Sequence, residues 1–425
     1  MLATLVNAWK TPELRTKLLF TAFVLAVYRF GSFIPSPGVD SSALANSLAN
    51  QGGIYSLLSV FSGGGLSRLS LFALGIMPYI TASIILQVLT PVSTNLQALQ
   101  KEGELGQRRI TQYTRYLTVA LAALQGLGYT YAFHSGTLGG TSTGNLVKFN
   151  AGNVILVTLT LTVGATLLMW LGELVTQRGI GNGMSLLIFA SILTSAPAAI
   201  NAWWNGSSFE KLSLPLVIFF IVLAVVYVQE GIRKIPIQYA KRMVGRRMTS
   251  GGSTYLPLRI NMAGVIPVIF AAAIMAFPAT VAQLLPFSIA HDMATFFSPG
   301  NWPFLIGEAV LIFAFTFFYV AVVFNSIEQA DNLKKAGGFI PGIRPGRPTA
   351  QYLESVLVRL TVAGGAFLAA VAVLPSLFIK YGGFSAATSR ALGGTSVLIV
   401  VGVAIDTMRQ IESQLAQRSY QGFLK

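Results

Sequence analysis

Ten runs of about 20 apolar residues punctuate this chain, near residues 17–34, 74–92, 114–134, 153–174, 183–203, 213–230, 261–285, 304–325, 356–378 and 392–410. A lipid bilayer is the solvent that accepts so many such runs. Inside it each must become a helix, because hydrocarbon offers the backbone no hydrogen-bond partner. Of the 425 residues 53% are hydrophobic and only 10% charged, and the mean hydropathy is +0.66, beyond the range of soluble domains. The expected fold class is an all-α polytopic membrane protein with ten transmembrane helices. Residues 1–16 are polar, and no small-residue cleavage site follows the first run before Pro35 and Pro37, so that run is read as a retained span rather than a signal peptide. Tyr113, Tyr116, Trp170, Trp203, Trp204 and Trp302 fall near span ends, where aromatic rings sit at membrane interfaces.

Lysine and arginine give the orientation. Segments on the side of the N-terminus carry Lys10, Arg15, Lys17, Lys101, Arg108, Arg109, Arg115 and Arg178, then the clusters of residues 230–259 and 325–359, then Arg409, Arg418 and Lys425. The opposite loops hold only Arg68, Lys148, Lys211, Lys380 and Arg390. The positive-inside rule places both termini in the cytoplasm and makes the net charge of +15 mostly a property of one basic face.

The chain also writes one pattern twice. Gly75, Ile76, Met77, Pro78, Tyr79, Ile80, Thr81, Ala82 returns as Gly264, Val265, Ile266, Pro267, Val268, Ile269, Phe270, Ala271, and both copies open an apolar run. A second echo links Gly183, Met184, Ser185, Leu186, Leu187, Ile188 to Gly394, Thr395, Ser396, Val397, Leu398, Ile399. Two halves of five spans follow, residues 17–203 and 204–410, with a tail at 411–425. Because five is odd, the second half enters the membrane upside down, and a path for substrate is expected where the halves meet.

The echoes bring together Ile76, Ile80, Met184, Ile188, Ile269 and Ile399. Four helices meeting on one axis would set these side chains as an apolar ring near the midplane, closing a pore by fit and dewetting. Ordinary helix packing would use the same residue types; the repeat favours the ring. Between the first two spans, residues 52–70 are too polar and broken to cross. Ile54, Leu57, Leu58 and Phe61 form a short helical stripe before the hinge Ser62, Gly63, Gly64, Gly65. A re-entrant stopper and an amphipathic helix lying on the outer leaflet both fit this stripe. Thr81, Gln125 and Asn261 are polar residues in or heading the spans that could hydrogen-bond across a seam between the halves, each bond contributing about 0.6–2 kcal/mol. The loop 230–259 has seven basic residues against one acid, and 325–359 frames Arg344 between prolines and glycines. Arg246, Arg247 and Arg344 are read as docking points for phosphate backbones or acidic protein surfaces, against the plainer role of setting topology and touching anionic lipid.

Other chemistries find no residues. Cysteine is absent and only His134 and His291 occur, which argues against thiol catalysis, disulfides, and zinc or haem centres, so neither metal nor cofactor is expected. No G-x-x-x-x-G-K-[ST] loop is present, so a partner must hydrolyse any nucleotide. An ion-coupled transporter would need a carboxylate at depth, yet Glu173, Glu230, Glu308 and Asp406 fall at or near span ends. An intramembrane enzyme would need a nucleophile with its base, and none is visible. Arg29 is the one deeply placed charge; it either pairs with backbone carbonyls or snorkels.

Taken together, Phe33 to Gly38, Phe61 to Ser67, Phe72 to Ile80, Lys101 to Arg115, Arg178 to Ser185, Asn261 to Pro267, Asp331 to Lys335 and Gly342 to Gly346 resemble the SecY family of protein-conducting channels over the whole chain. The resemblance implies an hourglass channel in a bacterial plasma membrane, non-enzymatic, with the ring just described, a plug near residues 52–70, and a lateral gate between the second and seventh spans. Its polar gate cluster corresponds to Thr81, Gln125 and Asn261, with Phe277 facing the second span. Its docking sites for the ribosome and the motor ATPase SecA correspond to Arg246, Arg247 and Arg344. The implied partners are the small subunits SecE and SecG, SecA, the ribosome, signal peptides and nascent chains, SecDF and YidC, and anionic lipids. Met184 stands where many relatives have isoleucine, a change expected to soften the ring without opening it.

Overall fold

The computed structural model describes residues 2–39, 59–134, 150–239, 243–244, 247–248, 253–284, 301–381 and 394–422. In chain order its helices are α1 (Leu2–Lys10), α2 (Pro12–Gly31), α3 (Met77–Leu89), α4 (Thr94–Lys101), α5 (Glu104–His134), α6 (Ala151–Arg178), α7 (Gly183–Trp204), α8 (Ser208–Glu230), α9 (Ile266–Leu284), α10 (Trp302–Val323), α11 (Ser326–Lys335), α12 (Arg347–Tyr381) and α13 (Gly394–Gly422). Each of the ten apolar runs coincides with a helix. Among the described residues four of them, on α6, α8, α10 and α12, are individually long and apolar enough to cross a bilayer.

The first echo is a device for starting a helix inside the protein. Gly75 and Gly264 both take left-handed backbone, φ +58° and +64°, which admits glycine at little cost. Pro78 and Pro267 then sit in the first turns of α3 and α9, where a missing N–H leaves nothing unpaired. This shortens the second span: a helix filling 74–92 was expected, but α3 has 13 residues. At about 1.5 Å per residue it covers roughly 20 Å, less than a hydrocarbon core. The remaining thickness is made by the irregular chain 62–76, which is tolerated because it is buried in protein. The second echo opens α7 and α13 at Gly183 and Gly394.

The packing repeats as the sequence does. In the first half α3 lies on α5, α5 on α6 and α6 on α7; in the second α9 lies on α10, α10 on α12 and α12 on α13. The halves touch where α9 meets α3 and α5, and again where α7 meets α13. Backbones approach closely at glycines, as membrane helices do for lack of a hydrophobic drive between them. A Cβ on Gly164 would overlap the carbonyl oxygen of Leu71, and one on Gly183 that of Gly172. Gly164→Val should therefore lower the stability of the detergent-solubilised protein by roughly 3 kcal/mol or more, because backbone cannot yield as a side chain can. Thermal unfolding near the unsubstituted midpoint would contradict this packing.

The basic segments differ from expectation, being sheet rather than loop. Strands β1 (Ile232–Tyr239) and β4 (Ser253–Arg259) pair antiparallel from Ile232↔Arg259 to Gln238↔Ser253, and β5 (Gly338–Phe339) joins the other edge of β1. Between them β2 (Met243–Val244) pairs with β3 (Arg247–Met248). The signal was present in the alternation of Ile235 and Ile237, both buried, with exposed Lys234, Pro236 and Gln238. Ile235 and Leu258 pack with Ile340, Leu353 and Leu357 into a core of their own beneath α12.

Candidate functional site

The main core holds the residues that the echoes bring together. Ile76, Ile80, Ile188, Ile269 and Ile399 are each at most 5% exposed and belong to one continuous apolar cluster, with half-buried Met184 packed against it. Above them opens a cavity of about 1520 Å³. Its mouth is polar, with Gln97, Lys101, Gln107, Asn325 and Glu328, all from the basic face, and its floor is Ile80, Met184, Ile188 and Ile269. The Met184 sulfur also lies against Gly172 of α6, so this residue fills a wall as well as the floor. Partway up, Arg115 donates to Glu173 through Nε at 3.0 Å and Nη2 at 2.6 Å, joining α5 to α6 beside Tyr79.

Behind the floor lies the segment before α3. Ile54, Leu57 and Leu58 fall outside the described residues. Phe61 does not: with Val60, Leu66, Leu69 and Phe72 it is buried in the same cluster as Ile76, Ile80, Ile188, Ile269 and Ile399. For residues 59–70, burial in the core decides against an amphipathic helix lying on the membrane surface. The hinge is fixed from several sides. Arg29 Nη1 donates to the Gly63 carbonyl at 3.2 Å and the guanidinium stands 4.4 Å from the Phe33 ring centroid, so this deep charge pairs with backbone rather than snorkelling. Tyr28 shares a hydrogen bond with Ser191 at 2.5 Å and stacks on Phe72. Gly63 and Gly64 both have positive φ, and a Cβ on Gly63 would come 2.7 Å from Tyr28 Oη. Beyond the hinge, Pro35 bridges Ser70, with Leu71 N donating to Ile34 O at 2.9 Å. Sequence reasoning missed Tyr28 as an anchor; its signal was a hydroxyl next to Arg29 deep in an apolar run.

The polar seam is corrected. Thr81 donates to its own helix at Met77 O, 3.0 Å, as threonine does in any apolar helix. Asn261 Nδ2 closes the turn to Gly264 O at 3.0 Å. Gln125 is half-buried, and among the described residues no hydrogen bond links these three side chains. Apolar contact of α9 with α3 and α5 closes the seam instead. Phe277 lies in α9, but its side chain is outside the described residues. Of the basic points, Arg247 begins β3 and Arg246 is outside the described residues. Arg344 is exposed, and its carbonyl accepts from Thr349 Oγ1 at 2.9 Å between Gly342 and Gly346, both in left-handed backbone.

The four flagged carboxylates are engaged structurally. Glu173 holds Arg115; Glu230 holds Arg409 at 3.1 Å; Asp406 lies 4.0 Å from Arg409; Glu308, 4% exposed, accepts from Thr395 at 3.4 Å. Among the described residues no cluster of His, Asp and Glu is arranged to hold a metal.

Two inverted helical halves, a polar funnel narrowing to an apolar floor and a buried re-entrant segment beneath it define a membrane protein of the channel class. The family model for SecY matches residues 70–408. The protein translocase subunits SecY of Mycobacterium bovis and Streptomyces coelicolor are 47% and 48% identical to this chain, each alignment covering 100% of both chains. Among solved structures, one described as "The structure of a protein conducting channel" matches with a TM-score of 0.63 and 19% identity over 93% of this chain and 91% of its own. A second, concerning "the plug domain of the SecY protein", has a TM-score of 0.64 at 20% identity over the same shares. This chain belongs to the SecY family.

Proposed function

We propose that the chain is the central pore-forming subunit of a protein-conducting channel, passing secretory proteins across the membrane and releasing membrane segments sideways into lipid. The observation that carries the reading is the convergence of α3, α7 and α9 side chains on one apolar floor under a polar funnel, with Phe61 packed behind it. Ile76, Ile80, Met184, Ile188, Ile269 and Ile399 serve as the ring that seals around a threading chain. Residues 52–70 serve as plug, hinged at Gly63 to Gly65. The contact of α9 with α3 is the lateral gate, with Thr81 on α3 and Phe277 on α9. A signal helix of about 10–15 apolar residues has transfer free energy enough to displace contacts of this kind.

The channel is passive, and its energy comes from a partner. Exposed Arg344 and the arm carrying Arg246 and Arg247 suit acidic or phosphate-bearing surfaces, those of the ribosome or the motor SecA; a related Sec61 structure was solved as a ribosome–channel complex. SecE and SecG complete the membrane complex, with SecDF, YidC and anionic lipids as further partners. The excess of Lys and Arg on one face supports a reading with both termini in the cytoplasm, and the bacterial relatives support a bacterial plasma membrane. The test is conductance across a planar bilayer holding the assembled complex. A synthetic signal peptide should evoke ion current and a scrambled polar peptide of the same length should not; equal responses to both would overturn the reading.

A further inference from the structure

The turn that starts α9 stands over a second, smaller cavity of about 140 Å³. Its walls are Gln229 at the end of α8, the stretch Asn261 to Gly264, Tyr319 of α10, and Asp406 and Arg409 of α13, with Arg259 beside them. Six buried side-chain atoms among the described residues have no protein hydrogen-bond partner, and three belong to this cavity: both amide atoms of Gln229 and Oδ1 of Asn261. Both side chains are 4% exposed. The main-chain carbonyl of Gln229 accepts from Arg409 Nη2, which also pairs with Glu230, and this fixes the end of α8. Gly402 provides a notch for the amide, since a Cβ there would lie 2.9 Å from Gln229 Nε2. The Nδ2 of Asn261 is already committed to Gly264.

The leftover groups are one amide nitrogen and two carbonyl-type oxygens, so the occupant must both accept and donate. A cation would face the Arg259 and Arg409 guanidiniums, and an anion the Asp406 carboxylate. Water satisfies all three atoms, and the volume suits about four or five molecules at roughly 30 Å³ each. A neighbouring cavity of about 420 Å³ shares Arg259, Asp406 and Arg409, and is bounded by Asn182 and Ser185 of the first half and Gln410 and Ser413 of the second. It supplies a path from the basic face.

We propose that this cavity is an internal water site at the root of α9, filled from the basic face between the two halves. Its role rests on the reading of α9 as the gate helix. Strand β4 runs through Ile260 directly into the Asn261 turn, so any displacement of the arm is delivered there. With water as partner, Gln229 and Asn261 stay hydrogen-bonded while the turn shifts, and the joint moves by exchanging water contacts instead of breaking protein ones.

The cysteine-free chain allows a direct test in the assembled complex in membranes. Ala263, 2% exposed, lines the cavity; Ala372, 0% exposed, is buried elsewhere in the second half. Methanethiosulfonate ethylammonium added at the basic face should modify Ala263→Cys at least about tenfold faster than Ala372→Cys, because thiolate formation and access both require water. Adding Gln229→Leu, which keeps the volume and removes the amide, should slow that reaction severalfold. Where Ala263→Cys fails to assemble, Val265→Cys lines the same cavity and replaces it. Equal rates at the two alanine positions, or a rate indifferent to Gln229→Leu, overturn the water site. Neither readout needs translocation, so failure of the channel reading would appear separately, in the signal-peptide conductance.

Discussion

A cysteine at Ile269 is expected to form a disulfide with a secretory precursor that carries one cysteine and is stalled partway across, whereas a cysteine at Phe219 is not. Ile269 is 5% exposed and lies on the cavity floor; Phe219 is 62% exposed on the outer surface of α8. A disulfide needs Cβ atoms within about 4 Å, so an adduct reports contact rather than proximity. Ile269→Cys also keeps the position apolar and small enough to pack. The difference should be nearly all-or-none after oxidation, read as a shifted band on a non-reducing gel. Reaction at both positions, or at neither, would mean that the floor is ordinary packing and that any path for the chain lies elsewhere.

The second large effect is expected at the hinge, from a pair of alanine substitutions. Gly63 and Gly64 both have positive φ, +63° and +79°, so alanine strains the backbone at either. Only Gly63 is also crowded: its Cβ would meet Tyr28 Oη at 2.7 Å and Thr194 Oγ1 at 3.2 Å, while nothing lies within 4 Å of the one at Gly64. A steric misfit of about 1–3 kcal/mol raises the population of an unseated segment roughly 5- to 150-fold. Resting ion leak through the reconstituted complex should rise by about that factor for Gly63→Ala and far less for Gly64→Ala. Equal leak from both would mean that backbone strain, and not the Tyr28 contact, seats the segment.

The functional residues divide by how local their cause is. The buried apolar residues under the cavity were marked in the sequence because the repeat writes equivalent positions twice, and a residue type that is uninformative alone becomes informative when Ile80 and Ile269 occupy matched places. The hinge was legible in composition, as a run of glycines that no helix interior tolerates cheaply. Its anchors were not, since Tyr28, Phe72 and Ser191 are brought together only when α2, the segment before α3 and α7 pack. The polar seam was misread for a related reason. Threonine and asparagine carry enough donors to bond across a helix pair or within their own turn, and Thr81 and Asn261 take the local option.

Most of the architecture was therefore set by local chemistry. Apolar length dictates a helix wherever the surroundings are lipid, lysine and arginine dictate which way it faces, and Gly with Pro dictate where it starts. Those are properties of a segment and its solvent, so the chain determined them by itself. Which side chains share a cavity, that the Arg29 guanidinium meets the Gly63 carbonyl, and that a basic loop forms a sheet with a distant strand at Gly338–Phe339 depend on contacts between residues far apart in sequence. Packing settled those, because a buried polar group accepts any partner of suitable geometry and the fold alone decides which one arrives.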